Sequence, residues 1–345
     1  FVSCANSKLL KYYSRTLTSG RVSSGTLAEI GKDIAKAKKL LEEGLLVGIP
    51  TETVYGLAGN ALRADAVTRI FDTKNRPHFD PLIVHVAPHR PLDNLVARLP
   101  AQARQLADAL WPGPLTLLLE KTPVIPSLVT SGLDAVAIRC PDHPLAQQLL
   151  AELDFPLAAP SANPFGYVSP TTAQHVEDQL GKSIPYILDG GPCKVGIEST
   201  IVGFDNGGHP VIHRLGGISL EKIEQIAGHA RLQINHSSNP SAPGQLQSHY
   251  APRKKLLLGD LDVLIAAHAE ESVALLTFRN HYAAVAMDHQ IMLSPTGNLE
   301  EAAQRLFDAL RKLDQMPVDL ILAEEVPQTG LGRAINDRLH RAASN

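Results

Sequence analysis

The sequence predicts an α/β protein with two domains. Along most of the chain, short aliphatic runs of strand length alternate with segments whose apolar residues recur at helical spacing. The chain has 345 residues, which is more than a single hydrophobic core usually organises. Residues 233–254 are rich in Asn, Ser, Pro and Gly, a composition typical of a linker. We therefore expect an N-terminal extension over residues 1–26, a first domain over residues 27–232, this linker, and a second domain over residues 255–345.

The first domain is predicted to begin with a helix over residues 27–43, because its apolar residues share one face and Gly44 is a natural stop. A loop over residues 50–61 follows a short buried strand. Asp65 is expected to cap the next helix. Strands are predicted for residues 45–49, 82–86, 115–120, 135–139, 157–159, 187–189, 198–202 and 211–215.

The second domain is predicted to be a small parallel α/β unit. Strands are expected over residues 273–277 and 320–323, and helices over residues 299–314 and 331–343. This part of the sequence contains no phosphate-binding loop and no metal-ligand spacing. Its predicted role is therefore regulatory or architectural.

The composition indicates no global attraction to nucleic acid or to membranes. The net charge is −3, and no apolar run approaches the ~20 residues of a membrane-spanning helix. Cys4, Cys140 and Cys193 form no CxxC pair, which is typical of a reducing compartment. The first 26 residues contain basic residues and serines but no acid. They are either a mitochondrial transit peptide or a disordered extension, and the second alternative predicts a cytoplasmic protein.

Several motifs of familiar enzyme classes are absent or incomplete. Gly181-Lys182-Ser183 imitates the end of a phosphate-binding loop, but Val176 occupies the position of the required upstream glycine. The sequence has no Gly-x-Gly-x-x-Gly, no His-Glu-x-x-His and no Gly-x-Ser-x-Gly. These observations argue against a dinucleotide oxidoreductase, a metalloenzyme and a serine hydrolase.

Residues 49–86 predict an anion-binding cleft at a sheet edge. A strand enters a loop rich in hydroxyls and glycine, and Lys74 and Arg76 follow with a point charge and a planar fork suited to phosphates. His85 lies in a strand that is apolar on both faces, so it is either a satisfied core histidine or a ligand contact. Arg139 ends a predicted strand, where side chains face the ligand crevice of open α/β sheets; a surface salt bridge is the alternative.

These residues belong to a set of sequence blocks that occur in one order. With them, the chain resembles the threonylcarbamoyl-AMP synthases in their long, two-domain form. The second domain matches less sharply, through Gly332-Arg-Ala-Ile-Asn-Asp-Arg338, and residues 1–26 match nothing. The matching blocks are Pro50-Thr-Glu-Thr-Val-Tyr-Gly-Leu57, Lys74-x-Arg-Pro77, Pro81-Leu-Ile-Val-His85, Trp111-Pro-Gly-Pro-Leu-Thr116, Ala137-Ile-Arg139, Pro160-Ser-Ala-Asn163, Glu198-Ser-Thr200 and, in the linker, Pro243-Gly followed by His249-Tyr-Ala-Pro252.

The resemblance implies a nucleotidyltransferase in tRNA modification. L-Threonine, bicarbonate and ATP would give threonylcarbamoyl-AMP and pyrophosphate, and a downstream threonylcarbamoyl-transferase complex would act on tRNA. It also implies a strongly twisted mixed α/β sheet around an open basic cavity, with a small Rossmann-like second domain. Mg²⁺ would enter with ATP, without dedicated protein ligands.

The resemblance also implies roles for individual residues. Lys74, Arg76 and Arg139 would be catalytic, and a lid containing His249 and Tyr250 would close over the nucleotide. The residues implied for ATP are Lys74, Arg76, Ser161, Asn163, Thr171, Arg214 and Tyr250. Those implied for threonine are Thr53, His85, Arg139, Ser161 and Ser199.

Two other functions remain alternatives at this point. A double-stranded RNA-binding module could use the same basic cleft, although no aromatic platform accompanies the basic residues. A carbamoyl-transfer domain of the hydrogenase-maturation type would share the cleft, but the lack of any CxxC argues against it.

Overall fold

The computed structural model describes residues 27–88, 90–234, 242–243 and 250–344. Two separate β-sheets organise this part of the chain, one of eleven strands and one of four strands. The expectations for residues 1–26 and for His249 lie outside the described residues. No helix in the described part combines the length and the apolar character that crossing a bilayer requires.

The larger sheet is mixed, as predicted. Its order is β1-β8-β2-β3-β7-β4-β6-β5-β9-β10-β11, with parallel pairs such as β4–β6 beside antiparallel pairs such as β5–β6. The strands are β1 Glu29–Gly31, β2 Val47–Ile49, β3 Gly56–Asn60, β4 Ile83–His85, β5 Leu115–Glu120, β6 Ala135–Arg139, β7 Leu157–Ala158, β8 Tyr186–Leu188, β9 Thr200–Phe204, β10 Pro210–Arg214 and β11 Arg231–Leu232.

The helices of this part begin at local capping groups where the sequence provides them. The Asp33 carboxylate accepts from the Lys36 N–H at the start of α1, and Ser219 caps α6 in the same way. The helices are α1 Ile34–Glu42, α2 Ala64–Lys74, α3 Ala101–Leu110, α4 Pro144–Glu152, α5 Ala173–Leu180 and α6 Leu220–Ala227.

The smaller sheet is entirely parallel, which confirms the prediction for the C-terminal part. Its order is β12-β15-β13-β14. Its strands are β12 Lys255–Leu258, β13 Val273–Thr277, β14 Gln290–Met292 and β15 Leu320–Ala323, and its helices are α7 Leu261–Ala267, α8 Leu299–Gln315 and α9 Gly332–Ala342.

Two local predictions at helix starts were wrong. Residues 29–31 form an edge strand that pairs with β8, so the first helix starts only after the Asp33 cap. Asp65 does not cap α2; Arg63 is the N-cap residue, and the Asp65 carboxylate pairs with the Arg63 guanidinium at 2.7 Å. In both cases hydrophobic periodicity identified a helix but not its first residue.

The predicted loop over residues 50–61 contains a strand, β3. Its sequence, Gly-Leu-Ala-Gly-Asn, has poor strand propensity, yet all five residues are buried between β2 and β7. Small residues are required there because a Cβ on Gly59 would lie 2.9 Å from Leu46 Cδ2. Close packing between β2 and β7 therefore makes this segment a strand in spite of its low strand propensity.

The two sheets are joined by helix α8, which packs onto the first part of the chain. Its apolar residues, including Leu306, Phe307 and Leu310, belong to the same buried cluster as core residues of the larger sheet. A Cβ on Gly196 would lie 2.4 Å from Gln304 Cα, so the backbones meet directly there. The docked helix places the C-terminal part beside the cavity described next.

Candidate active site

A cavity opens in the larger sheet where loops after several strands converge. It holds about 560 Å³ of empty space, including the part open to solvent. Its lining contains six of the residues singled out from the sequence, Arg76, His85, Arg139, Ser161, Arg214 and Tyr250. The other lining residues are Thr51, Val54, Gly56, Pro81, Ile83, Ala159, Pro160, Glu198 and Pro243.

Arg139 forms a buried ion pair on one wall. It ends strand β6, is 4% exposed, and places Nη2 2.7 Å from Oε1 of Glu52. The other Glu52 oxygen accepts from the Asp142 N–H at 3.0 Å, which fixes the carboxylate. Within the described residues, Arg139 Nε has no hydrogen-bond acceptor. The guanidinium is thus held in place with donor capacity left for an anion.

His85 is a neutral ring beside Arg139. The β4–β6 register sets the two residues side by side, and His85 Nδ1 lies 3.2 Å from the Ile83 carbonyl. A carbonyl only accepts, so Nδ1 carries the proton and Nε2 is the acceptor. Burial, with Arg139 adding to it, lowers the pKa of His85 to about 3. At neutral pH this ring can accept a hydrogen bond but is a poor proton base.

Arg76 lines the cavity from the loop that follows α2. Its Nη2 lies 2.8 Å from the buried Asp80 carboxylate, and the guanidinium also donates to the carbonyls of Asp80 and Pro81. These contacts hold the turn that leads into β4. Arg76 is therefore locked by its own loop in one orientation at the cavity wall.

Arg214 approaches from the end of strand β10. Its Nε donates to the Ser199 carbonyl and its Nη2 to Ser199 Oγ, both at 3.0 Å. Ser199 Oγ also lies 2.7 Å from the Thr116 hydroxyl. Burial lowers the pKa of Arg214, and its hydrogen bonds go to neutral oxygens. Ser199 orients this arginine from behind the lining.

Lys74 is buried beneath the loop that carries Ser161. Its Nζ donates to the carbonyls of Ser161 and Asn163, while the Asn163 amide donates to Pro164 and Tyr167 carbonyls. Burial lowers the pKa of Lys74 well below its ordinary value, and Arg76 adds to the effect. Lys74 and Asn163 thus support the Ser161 loop in this structure.

Thr53 and Thr171 also lie behind the lining. The Thr53 hydroxyl is 2.8 Å from that of Thr51, which does face the cavity and donates to the Val54 carbonyl. The Thr171 N–H donates to His175 Nδ1 at the start of α5. Five of the predicted residues, namely Thr53, Lys74, Asn163, Thr171 and Ser199, are therefore in a supporting layer rather than at the surface of the cavity.

Tyr250 reaches the cavity from the junction of the two parts of the chain. It has φ +65°, is buried, and its ring centroid lies 5.5 Å from that of Phe307 in α8. The Arg338 guanidinium of α9 lies 5.3 Å from the same ring. The linker tyrosine is thus packed against two helices of the C-terminal part.

Sequence reasoning missed the carboxylates and Arg338. Glu52 and Glu198 lie inside the matching blocks, and a carboxylate in a small, apolar loop signals a partner for a buried arginine. Arg338 ends the matching stretch of the second domain, but its partner could not be found locally, because it meets Glu198 across 140 positions of sequence. Within the described residues, no group of three or more His, Cys, Asp or Glu side chains is arranged to hold a metal ion.

Comparison with known proteins places this geometry in a family. A family model described as telomere recombination matches residues 39–216, and one described as threonylcarbamoyl-AMP synthase, C-terminal domain, matches residues 218–344. The threonylcarbamoyl-AMP synthases of Pyrococcus abyssi and Bacillus subtilis are each 41% identical to this chain, covering 89% and 90% of it and 93% and 92% of their own lengths. The chain belongs to the threonylcarbamoyl-AMP synthase family. The resemblance found in the sequence blocks is thereby confirmed.

Solved structures agree with this family membership. The crystal structure of P. abyssi Sua5 complexed with L-threonine matches with a TM-score of 0.85 at 38% identity, covering 92% of this chain and 98% of that chain. A variant of P. abyssi Sua5 in which an adjacent histidine and tyrosine are replaced by alanines matches with a TM-score of 0.84 at 38% identity, covering 92% and 96%. The likeness therefore extends over both sheets. The matches do not favour the RNA-binding or carbamoyl-transfer alternatives.

Proposed function

We propose that this family member catalyses the reaction of L-threonine, bicarbonate and ATP to give threonylcarbamoyl-AMP and pyrophosphate. The observation that carries the proposal is the cavity of a threonylcarbamoyl-AMP synthase fold in which three arginines converge, one from a loop and two from the ends of strands β6 and β10. Bicarbonate, the triphosphate and the carboxylate of threonine all carry negative charge at neutral pH. A cavity for them must supply cations and hydrogen-bond donors, as this one does.

Arg139 and His85 are proposed to bind threonine. The available Arg139 Nε suits the threonine carboxylate, and the neutral His85 ring offers Nε2 as an acceptor. The Thr51–Thr53 hydroxyl pair and Ser161 would complete the threonine-binding side of the cavity. Ser199 would contribute to this side by orienting Arg214.

Arg76 and Arg214 are proposed to bind the nucleotide phosphates, with Tyr250 over the nucleotide. Lys74 is also proposed for ATP, although its Nζ is bonded to two carbonyls here. Binding would then exchange a carbonyl for a phosphate oxygen, and the anion would favour the charged ammonium. Asn163 and Thr171 would position the loops that carry Ser161 and the start of α5.

Catalysis is proposed to rest on positioning and charge. The threonine amine attacks the carbon of bicarbonate, and loss of water gives a carbamate. An oxygen of the carbamate then attacks the α-phosphorus and displaces pyrophosphate. Arg76 and Arg139 would align the carbamate and the triphosphate and offset the negative charge through which these two anions repel each other. The low pKa of His85 argues against this ring as the base, so bicarbonate or solvent would take the proton.

Mg²⁺ is proposed to enter with ATP. Among the described residues that line the cavity, Glu198 is the one carboxylate, and both of its oxygens accept hydrogen bonds from protein groups. The residues present therefore fit an ion held by phosphate and water oxygens, not a dedicated protein site. Bound in this way, the ion would offset phosphate charge.

The remaining parts of the proposal concern the domains and partners. We propose a catalytic domain over residues 27–232, a linker and lid over residues 233–254, and a small Rossmann-like domain over residues 255–345 that supports the cavity wall. The product would pass to a threonylcarbamoyl-transferase complex that acts on tRNA. This role suits a cytoplasmic protein, or a mitochondrial one if residues 1–26 are a transit peptide.

Pyrophosphate release tests the proposed function directly. ATP turnover would be measured with threonine and bicarbonate each present or omitted. The proposal expects release only when both are present, because the carbamate that attacks ATP needs both. ATP hydrolysis that ignores threonine, or no turnover at all, would contradict it.

A further inference from the structure

A carboxylate in the cavity wall conflicts with the binding of anions. Glu198 lines the cavity and is 6% exposed. A negative charge at such a site, poorly screened by water, would repel a triphosphate over several ångströms. The wall therefore needs a compensating cation close to Glu198.

That cation comes from the last helix of the chain. Arg338 lies in α9, is 0% exposed, and places Nε and Nη2 3.2 and 3.1 Å from Oε2 of Glu198. The other carboxylate oxygen accepts from the Ser169 hydroxyl at 2.6 Å. Arg338 also donates to the Leu215 carbonyl at 2.6 Å. These contacts place the guanidinium behind the wall, where it does not occupy the cavity itself.

The charges around the cavity show what Arg338 contributes. In the part of the chain that the structure describes, three buried ion pairs lie at its wall, namely Arg76–Asp80, Arg139–Glu52 and Arg338–Glu198. Arg214 adds one positive charge, since its hydrogen bonds go to Ser199 oxygens. With Arg338 in place these groups are net positive by one charge; without it they are neutral. Asp337 pairs with both Arg338 and Arg341, so Arg341 offsets the charge of Asp337 within the same helix.

A second contact links Arg338 to the nucleotide side. The ring of Tyr250 stacks near the Arg338 guanidinium, and Phe307 of α8 supports the same ring. Ser169, the other partner of Glu198, is itself held through its carbonyl by Arg311 of α8. Two helices of the C-terminal part thus hold both Glu198 and Tyr250.

We infer that Arg338 is a positioning residue that neutralises Glu198 from behind the cavity wall, so that nucleotide affinity depends on docking of the C-terminal part. The inference rests on the proposed function, because it takes a nucleoside triphosphate as the occupant. It predicts that removing Arg338 weakens ATP binding through the stranded Glu198 charge. It also predicts that neutralising Glu198 removes most of this effect.

The test compares ATP binding by calorimetry and pyrophosphate release in four full-length variants. R338M should weaken ATP binding and raise the KM for ATP about 10- to 100-fold, with a smaller change in kcat. R338M/E198Q should bind ATP within a few-fold of E198Q alone. R333M is the matched control, because Arg333 lies on the same helix and also pairs across the junction, with Glu221, but at the surface. R333M should match the wild type in ATP affinity and in the KM for ATP.

The outcomes separate the charge role of Arg338 from the proposed function of the protein. If R338M binds ATP as tightly as the wild type, or if R338M/E198Q remains as weak as R338M, the charge role of Arg338 is wrong while the proposed function stands. If R338M alone fails to fold, recovery of folding and ATP binding in R338M/E198Q supports the inference, and no recovery overturns it. A wild-type protein that binds no ATP would overturn the proposed function together with this inference.

Discussion

Replacing Arg139 by alanine should damage both stability and threonine use, for reasons that can be separated. Arg139 and Glu52 are each 4% exposed, and their atoms approach to 2.7 Å. Removing one member of such a buried pair leaves an uncompensated charge and costs roughly 3–5 kcal/mol of the free energy of unfolding. Adding Glu52→Gln removes the stranded charge, so the double variant should recover most of that loss.

Unlike the free energy of unfolding, kcat/KM for threonine should not recover in the double variant. A hydrogen bond to a charged group contributes about 1.5–3 kcal/mol, so losing the Arg139 contact should lower kcat/KM for threonine by about 10- to 150-fold. That loss should persist in the double variant, because the guanidinium is still missing. Urea unfolding followed by circular dichroism measures the first effect, and pyrophosphate release against threonine concentration measures the second. If the double variant regained wild-type kcat/KM for threonine, Arg139 would serve the fold alone.

Three further predictions concern phosphate binding, the second domain and pH. Lys74→Ala and Arg76→Ala should each remove about 2–4 kcal/mol of transition-state stabilisation from ATP turnover while the native fold survives, although Arg76→Ala also leaves the buried Asp80 carboxylate without its ion pair and should lower the free energy of unfolding by roughly 3–5 kcal/mol; full activity in both would contradict the phosphate assignment. Ending the chain after Asn235 should abolish or greatly reduce pyrophosphate release, because Tyr250 and Arg338 are lost; an equally active fragment would show that the second domain is dispensable. Because the pKa of His85 falls from an ordinary 6.5 to about 3, the folded state resists protonation that the unfolded state accepts. Stability from this group is therefore present above pH 6.5 and is lost as pH falls toward 3, by up to about 1.4 kcal/mol per pH unit, and urea unfolding of His85→Asn should lack that slope; an unchanged slope would refute the buried neutral ring.

Much of the fold was predictable because its signals are local. Strands Leu115–Glu120, Ala135–Arg139, Val273–Thr277 and Leu320–Ala323 have the predicted bounds, since each is a mainly apolar run of strand length. Strand β3 was not predictable in this way. Its glycines weaken the strand pattern, and the reasons for them lie outside the strand: Leu46 approaches Gly59 and Ala159 approaches Gly56.

The candidate site was predictable where a residue type and its position at a strand end coincide. Arg139 was found in this way, and His85 was found as a histidine within a strand that is apolar on both faces. The structure places both in one cavity. The division between lining and supporting residues was not predictable. Lys74 and Arg76 are two positions apart, yet Arg76 faces the cavity while Lys74 bonds to the carbonyls behind it.

From the amino-acid sequence alone follow most of the elements, the order of the blocks, the family and the set of cations that an anionic substrate requires. Helical period, strand length and capping depend on neighbouring residues, so they are written into short segments. Only the folded chain establishes which charges meet. Electrostatic interaction and desolvation depend on distance through space, and the fold brings Arg338 to Glu198 and Arg139 to Glu52 from remote positions.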